Sequence, residues 1–124
     1  MTEPIAQAQN AALVWPGGEV VVVSIRGNPS AEDAAGALAE AQRLLAEAPR
    51  RGLLFILDGL VEPGRVADLL DPARWEGSGL RVAYAVSTGE QLEYLEERVA
   101  GREYAGVFGD GALAYGFAAT APEA

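Results

Sequence analysis

The chain contains no cysteine and no histidine, and all nine of its cationic residues are arginine, so lysine is missing as well. Without cysteine there is no disulfide, no thiolate nucleophile and no thiolate metal site. Without histidine there is no imidazole base, no Ser-His dyad and no imidazole ligand for zinc. Without lysine there is no Schiff base and no phosphate-loop ammonium. Any catalysis has to rest on carboxylates, hydroxyls, arginine and backbone dipoles, with at most a hard cation added.

Positive charge is sparse too. Eighteen acidic residues against nine arginines give a formal net charge of −9, and only Arg50 and Arg51 are adjacent. Phosphate backbones are bound through a clustered positive footprint, so nucleic acid is not an expected partner. The same acidity opposes docking to an anionic membrane. No stretch reaches the roughly 20 apolar residues that span a bilayer, and the first residues, "MTEPIAQAQNAALVW", lack the basic segment of a signal peptide. The expectation is a cytoplasmic protein without membrane insertion. With no repeat or low-complexity block, the 124 residues read as one domain over 10–118, between a flexible terminus, 1–9, and a tail, 119–124.

What is there is an alternation of strands and helices. "AALVW" (11–15) and "EVVVVSIR" (19–26) are β-branched runs separated by "PGG", in which Pro16, Gly17 and Gly18 suit a hairpin turn. Ser30, with Asp33 three residues on, opens a helix over 31–48 whose Ala34, Leu38, Ala41, Leu44, Leu45 and Ala48 share one face. "LLFIL" (53–57) has no polar alternation, as expected of a strand buried on both sides of a parallel sheet. Pro63 starts a short helix to about Leu70, and "DPARW" restarts helical structure. "LRVAYAV" (80–86) is a strand and "STGEQLEYLEERVA" a capped helix. "EYAGVF" (103–108) is the last strand, and Asp110 caps a final helix with Leu113, Ala114 and Phe117 inward. The predicted class is α/β, a mostly parallel sheet with right-handed crossovers and an antiparallel strand from the hairpin.

The order β-β-α-β-α-β-α-β-α, with these lengths, resembles the STAS domain, the SpoIIAA-like fold of anti-sigma factor antagonists and sulfate-transporter tails. Within it the chain is most similar to the small bacterial STAS/SEC14-like branch, through "VVVSIRGNPSAEDA", "RVAYAV" and "YAGVFGDGALAYGF". The resemblance covers residues 10–118 and implies a non-enzymatic module that binds a protein partner or itself. The branch label also suggests a small apolar or lipid-like ligand between helix and sheet, beside Leu60, Val66, Leu69, Leu70 and Trp75. Family members that switch by phosphorylation carry a serine just past the central strand. Residues 58–70, "DGLVEPGRVADLL", contain neither serine nor threonine, so that switch has no carrier here.

Several residues admit both a functional and a structural reading. Asp58 ends the central strand where ligands bind in open parallel sheets. It serves there as a cation ligand or acid–base group with Glu62 or Asp110, or only as the cap of a turn. Ser87 and Thr88 bind an anion or cap a helix, with Ser87 and Glu90 as a capping box. "FGDGA" (108–112) approaches a ligand closely or forms a turn, and it is no dinucleotide fingerprint because no strand follows its helix. Trp15, with Val21 and Val23 of the same hairpin, marks an interface or packs beneath the hairpin. Glu90, Glu93, Glu96 and Glu97 line an acidic helix face. The expectation is a binding module with no cofactor and no metal. A carrier of a small apolar ligand is the alternative, and a carboxylate enzyme built on Asp58 comes last.

Overall fold

The computed structural model describes residues 10–120, so the expected flexible terminus 1–9 and the tail beyond residue 120 lie outside the described residues. Five strands form one sheet in the order β1-β2-β3-β4-β5: β1 Ala11–Gly17, β2 Val20–Arg26, β3 Gly52–Asp58, β4 Arg81–Ala85 and β5 Ala105–Phe108. β1 is antiparallel to β2, and the remaining neighbours are parallel. The helices are α1 Ala31–Glu47, α2 Ala67–Leu70, α3 Gly89–Val99 and α4 Gly111–Ala119, with short 3₁₀ turns on either side of α2.

Each parallel strand lies next to its predecessor, so crossovers of one hand carry α1, α2 and α3 to the same face of the sheet. There Val21, Val23 and Ile25 of β2, Leu53, Phe55 and Leu57 of β3, and Val82 and Tyr84 of β4 meet Ala37, Ala41 and Leu44 of α1 and Leu95 of α3. Phe55 and Tyr84 stack with ring centroids 5.2 Å apart, and the Tyr84 hydroxyl donates to the Leu70 carbonyl. Burial, with Asp71 nearby, raises the Tyr84 phenol above its ordinary range. Among the described residues the opposite face has only α4, which packs Ala114 and Ala118 on Val20, Val22, Leu54, Ala83 and Ala85. α4 comes so close that a Cβ on Gly52 would lie 2.1 Å from the Ala118 carbonyl oxygen, which only glycine avoids.

The hairpin turn falls one step later than "PGG" suggests. Gly17 pairs with Val20, leaving Gly18 and Glu19 as the turn, while Pro16 and Gly17 belong to β1. Gly18 has φ +70° and no non-glycine residue among those described has positive φ, which fits a turn needing φ > 0 only at its first central position. In α4, Leu113 points to solvent where an inward position was expected, because Ala114 and Ala118 give α4 a narrow contact stripe.

Candidate functional site

The residues singled out at the carboxyl ends of the strands are engaged with each other. Asp58 does not cap its loop. It stands beside Arg26 in the β2–β3 register and forms an exposed ion pair with it at 3.1 Å. Glu62 pairs with Arg65 at 3.3 Å. Asp110 is the N-cap of α4, accepting from the Ala112 and Leu113 amides at 2.7 and 3.3 Å. The three carboxylates offered as a joint acid–base or metal set are thus separately occupied. Among the described residues no group of three or more acidic side chains is placed to hold a metal ion.

Thr88, not Ser87, is the N-cap of α3, and its box partner is Gln91, not Glu90. The Ser87 hydroxyl instead donates to the Leu57 carbonyl at 2.8 Å, tying the end of β4 to the end of β3. Gln91 is only 1% exposed. Its Oε1 accepts from the Ser87 and Thr88 amides at 2.7 and 3.2 Å, and its Nε2 donates to the Gly59 and Val61 carbonyls at 3.0 and 2.9 Å. One side chain therefore fixes both the β3 and β4 exit loops. The sequence signal for it was available, since Gln91 stands three residues after Thr88, the capping-box spacing.

The side chains expected around an apolar ligand are not brought round one cavity. Val66, Leu69 and Leu70 are buried in the main core, with Val66 and Leu69 also bordering a cleft of about 440 Å³ against Ala34 and Leu38 of α1, whereas Leu60 is 85% exposed. Leu60 and Thr88 border a cleft of about 370 Å³ with Glu62 and Tyr94. Trp75, itself buried, borders a different cleft of about 480 Å³ with Leu80, Arg81, Glu103 and Tyr104, at the amino ends of β4 and β5. The hairpin expectation divides as well. Val21 and Val23 are fully buried because α1 packs over their face of β2, and they offer no surface to a partner. Trp15 lies on the edge strand and is 42% exposed.

Trp15 belongs to a larger pattern. Leu13 and Trp15 stand opposite Ser24 and Val22 of β2, on the face of the sheet that α4 only partly covers. Leu13 is 60% exposed, and on α4 Leu113 is 65% and Tyr115 37% exposed. The Tyr115 hydroxyl reaches across to the hairpin and donates to the Gly17 carbonyl at 2.7 Å. Four of the five exposed large hydrophobic residues among those described thus sit on β1 and α4, with Leu60 the fifth. The two longest charge-free stretches of the sequence, residues 4–18 and 111–122, are the ones containing β1 and α4. A chain of net charge −9 therefore carries an apolar patch on β1 and α4, bordered on the same face by the Arg26–Asp58 pair and by Arg81, which lies over the Phe117 ring, and exposed patches of that kind mark interaction surfaces.

Comparison with protein-family models, with curated proteins and with solved structures finds no match. Among the described residues no helix is long and apolar enough to cross a membrane.

Proposed function

We propose that this chain is a STAS-like, non-enzymatic binding module that docks a protein partner, or itself, through the face formed by β1 and α4. The observation that carries the reading is the gathering of Leu13, Trp15, Leu113 and Tyr115 on one face, from two elements that themselves carry no charged residue. The strand-end residues support it from the other side. Asp58, Ser87, Asp110 and Gln91 each have an intramolecular partner, so the loops where an α/β enzyme keeps its reactive groups are self-contained. In this reading the module works without the phosphoserine of its switched relatives and without a cofactor. The alternative, a carrier of a small apolar ligand, has less support, because the side chains it requires are divided among separate clefts.

Site-specific photo-crosslinking in the native host tests the proposal. A photoreactive residue at position 15 is expected to capture a protein or a second copy of the chain, and the same residue at Glu93 on α3 is expected to capture neither. Equal capture at both positions, or none at position 15, contradicts it.

A further inference from the structure

We infer that the partner for the β1 edge is a second copy of this chain, joined strand to strand about a two-fold axis at Val14. The inference rests on the docking face proposed above and names its occupant. Among the described residues β1 is an end strand, hydrogen-bonded to β2 on one side only. In a hairpin closed by two residues the flanking pair, here Gly17 and Val20, exchanges hydrogen bonds, and paired residues alternate from there. Ala11, Leu13, Trp15 and Gly17 therefore direct their main-chain groups toward β2. Ala12, Val14 and Pro16 direct theirs outward, and proline sits where its missing N–H costs the hairpin nothing.

That outward edge is self-complementary. An axis through Val14, the middle residue of Ala11–Gly17, sets the whole strand antiparallel to its copy. Val14 then exchanges two hydrogen bonds with the second copy's Val14, and each Ala12 amide donates to the opposing Pro16 carbonyl. On the α4 face, Leu13 of each copy lies directly opposite Trp15 of the other, an aliphatic–aromatic pair made twice. Two sheets of five strands become one of ten.

Charge favours a second copy over other occupants. Self-association of an acidic chain brings like charges together unless the contact surface is free of them, and residues 10–18, "NAALVWPGG", carry none. The other sheet edge, β5, has only four residues and is bracketed by Glu103 and Asp110. A basic partner would favour the Glu90, Glu93, Glu96 and Glu97 face of α3 instead. Beyond Pro16, whose missing N–H leaves each Ala12–Pro16 pair with one bond, this edge strand carries neither lysine nor an inward charge to protect it from pairing.

Sedimentation velocity from low micromolar to submillimolar concentration, coupled to amide hydrogen exchange, tests this on the unaltered chain. The expected species has twice the 12.9 kDa chain mass. At dimer-forming concentration the Ala12 and Val14 amides should exchange at least about tenfold more slowly than at the lowest concentration, with Leu13 and Trp15 unchanged because they bond β2 in both states. Trp15→Glu, which puts a carboxylate into each cross-copy pair, is expected to give the monomer with its circular dichroism retained. The wild-type exchange pattern decides the question even if that variant fails to fold. A monomer throughout, or a dimer in which Ala12 and Val14 remain unprotected, overturns the inference. If such a chain still captures a protein at position 15, the docking face stands with a different occupant; if it captures nothing, both fall.

Discussion

Replacing Gln91 with leucine keeps the volume of a buried side chain while removing all of its hydrogen bonds. Gly59 and Val61 then lose a donor and Ser87 and Thr88 lose an acceptor, in the two loops that leave β3 and β4. At about 1 kcal/mol net for each bond the gross loss is about 4 kcal/mol. Two terms reduce it. Leucine regains about 1 kcal/mol of apolar burial, and Ser87 is exposed enough for its amide to take up water. The expected destabilisation is about 2 to 3 kcal/mol, a large part of the stability of a domain this size. In urea, with a slope of about 2 kcal/mol/M, the midpoint should fall by about 1 to 1.5 M with the slope unchanged. Hydrogen exchange should show the loss at Ser87 and Thr88 before it appears in β2. A midpoint shift under about 0.25 M, which is about 0.5 kcal/mol, would refute the claim that this side chain holds the two loops together.

Three further outcomes follow from the same geometry. Tyr84 has a folded-state pKa raised above the unfolded value of about 10, so its contribution to stability is complete below pH about 10 and is lost as pH rises beyond it. Absorbance titration should find one tyrosine that ionises only on alkaline unfolding, and Tyr84→Phe should remove that step at a cost of about 1 to 2 kcal/mol from the unpartnered Leu70 carbonyl. Gly52→Ala drives a methyl group into the Ala118 carbonyl, so α4 must lift from the sheet. A loss of about 2 to 4 kcal/mol with increased dye binding is expected, and an unchanged melting temperature contradicts the close approach. Asp58→Asn breaks only the exposed pair with Arg26, and a stability change above about 1 kcal/mol by chemical denaturation would show that Asp58 does more than the ion pair indicates.

The parts of the fold legible in the sequence were those set by long-range burial and by strong local signals. "LLFIL" reads as a doubly buried strand because both of its faces meet a hydrophobic layer, and β3 does lie in the middle of the sheet. Ser30 reads as a helix cap, and its side chain accepts from the Asp33 amide. The misplaced details turned on one-residue choices among similar groups. Ser87 and Thr88 are both competent caps, and what separates them is the Leu57 carbonyl, which lies thirty residues away in sequence and takes the Ser87 hydroxyl. Asp58 looks like a loop cap until β2 and β3 pair in register and bring Arg26 alongside. Val21 and Val23 looked available because a hairpin seen alone has two open faces; α1 covers the one into which they project. The residues expected round one ligand are divided for a similar reason, since Val66 and Leu69 face a cleft against α1, Trp75 a cleft at the amino ends of β4 and β5, and Leu60 stays on the loop outside the core. The apolar face was visible only through Trp15, because the meeting of β1 with α4 depends on which side of the sheet α4 takes.

The most direct test of the account is native mass spectrometry of the chain purified gently from its own host. The account predicts a mass above 12.9 kDa by one whole protein, a partner or a second copy, and a return to 12.9 kDa for Trp15→Glu. The bare chain mass, or that mass with a small non-covalent adduct that Trp15→Glu retains, would contradict it.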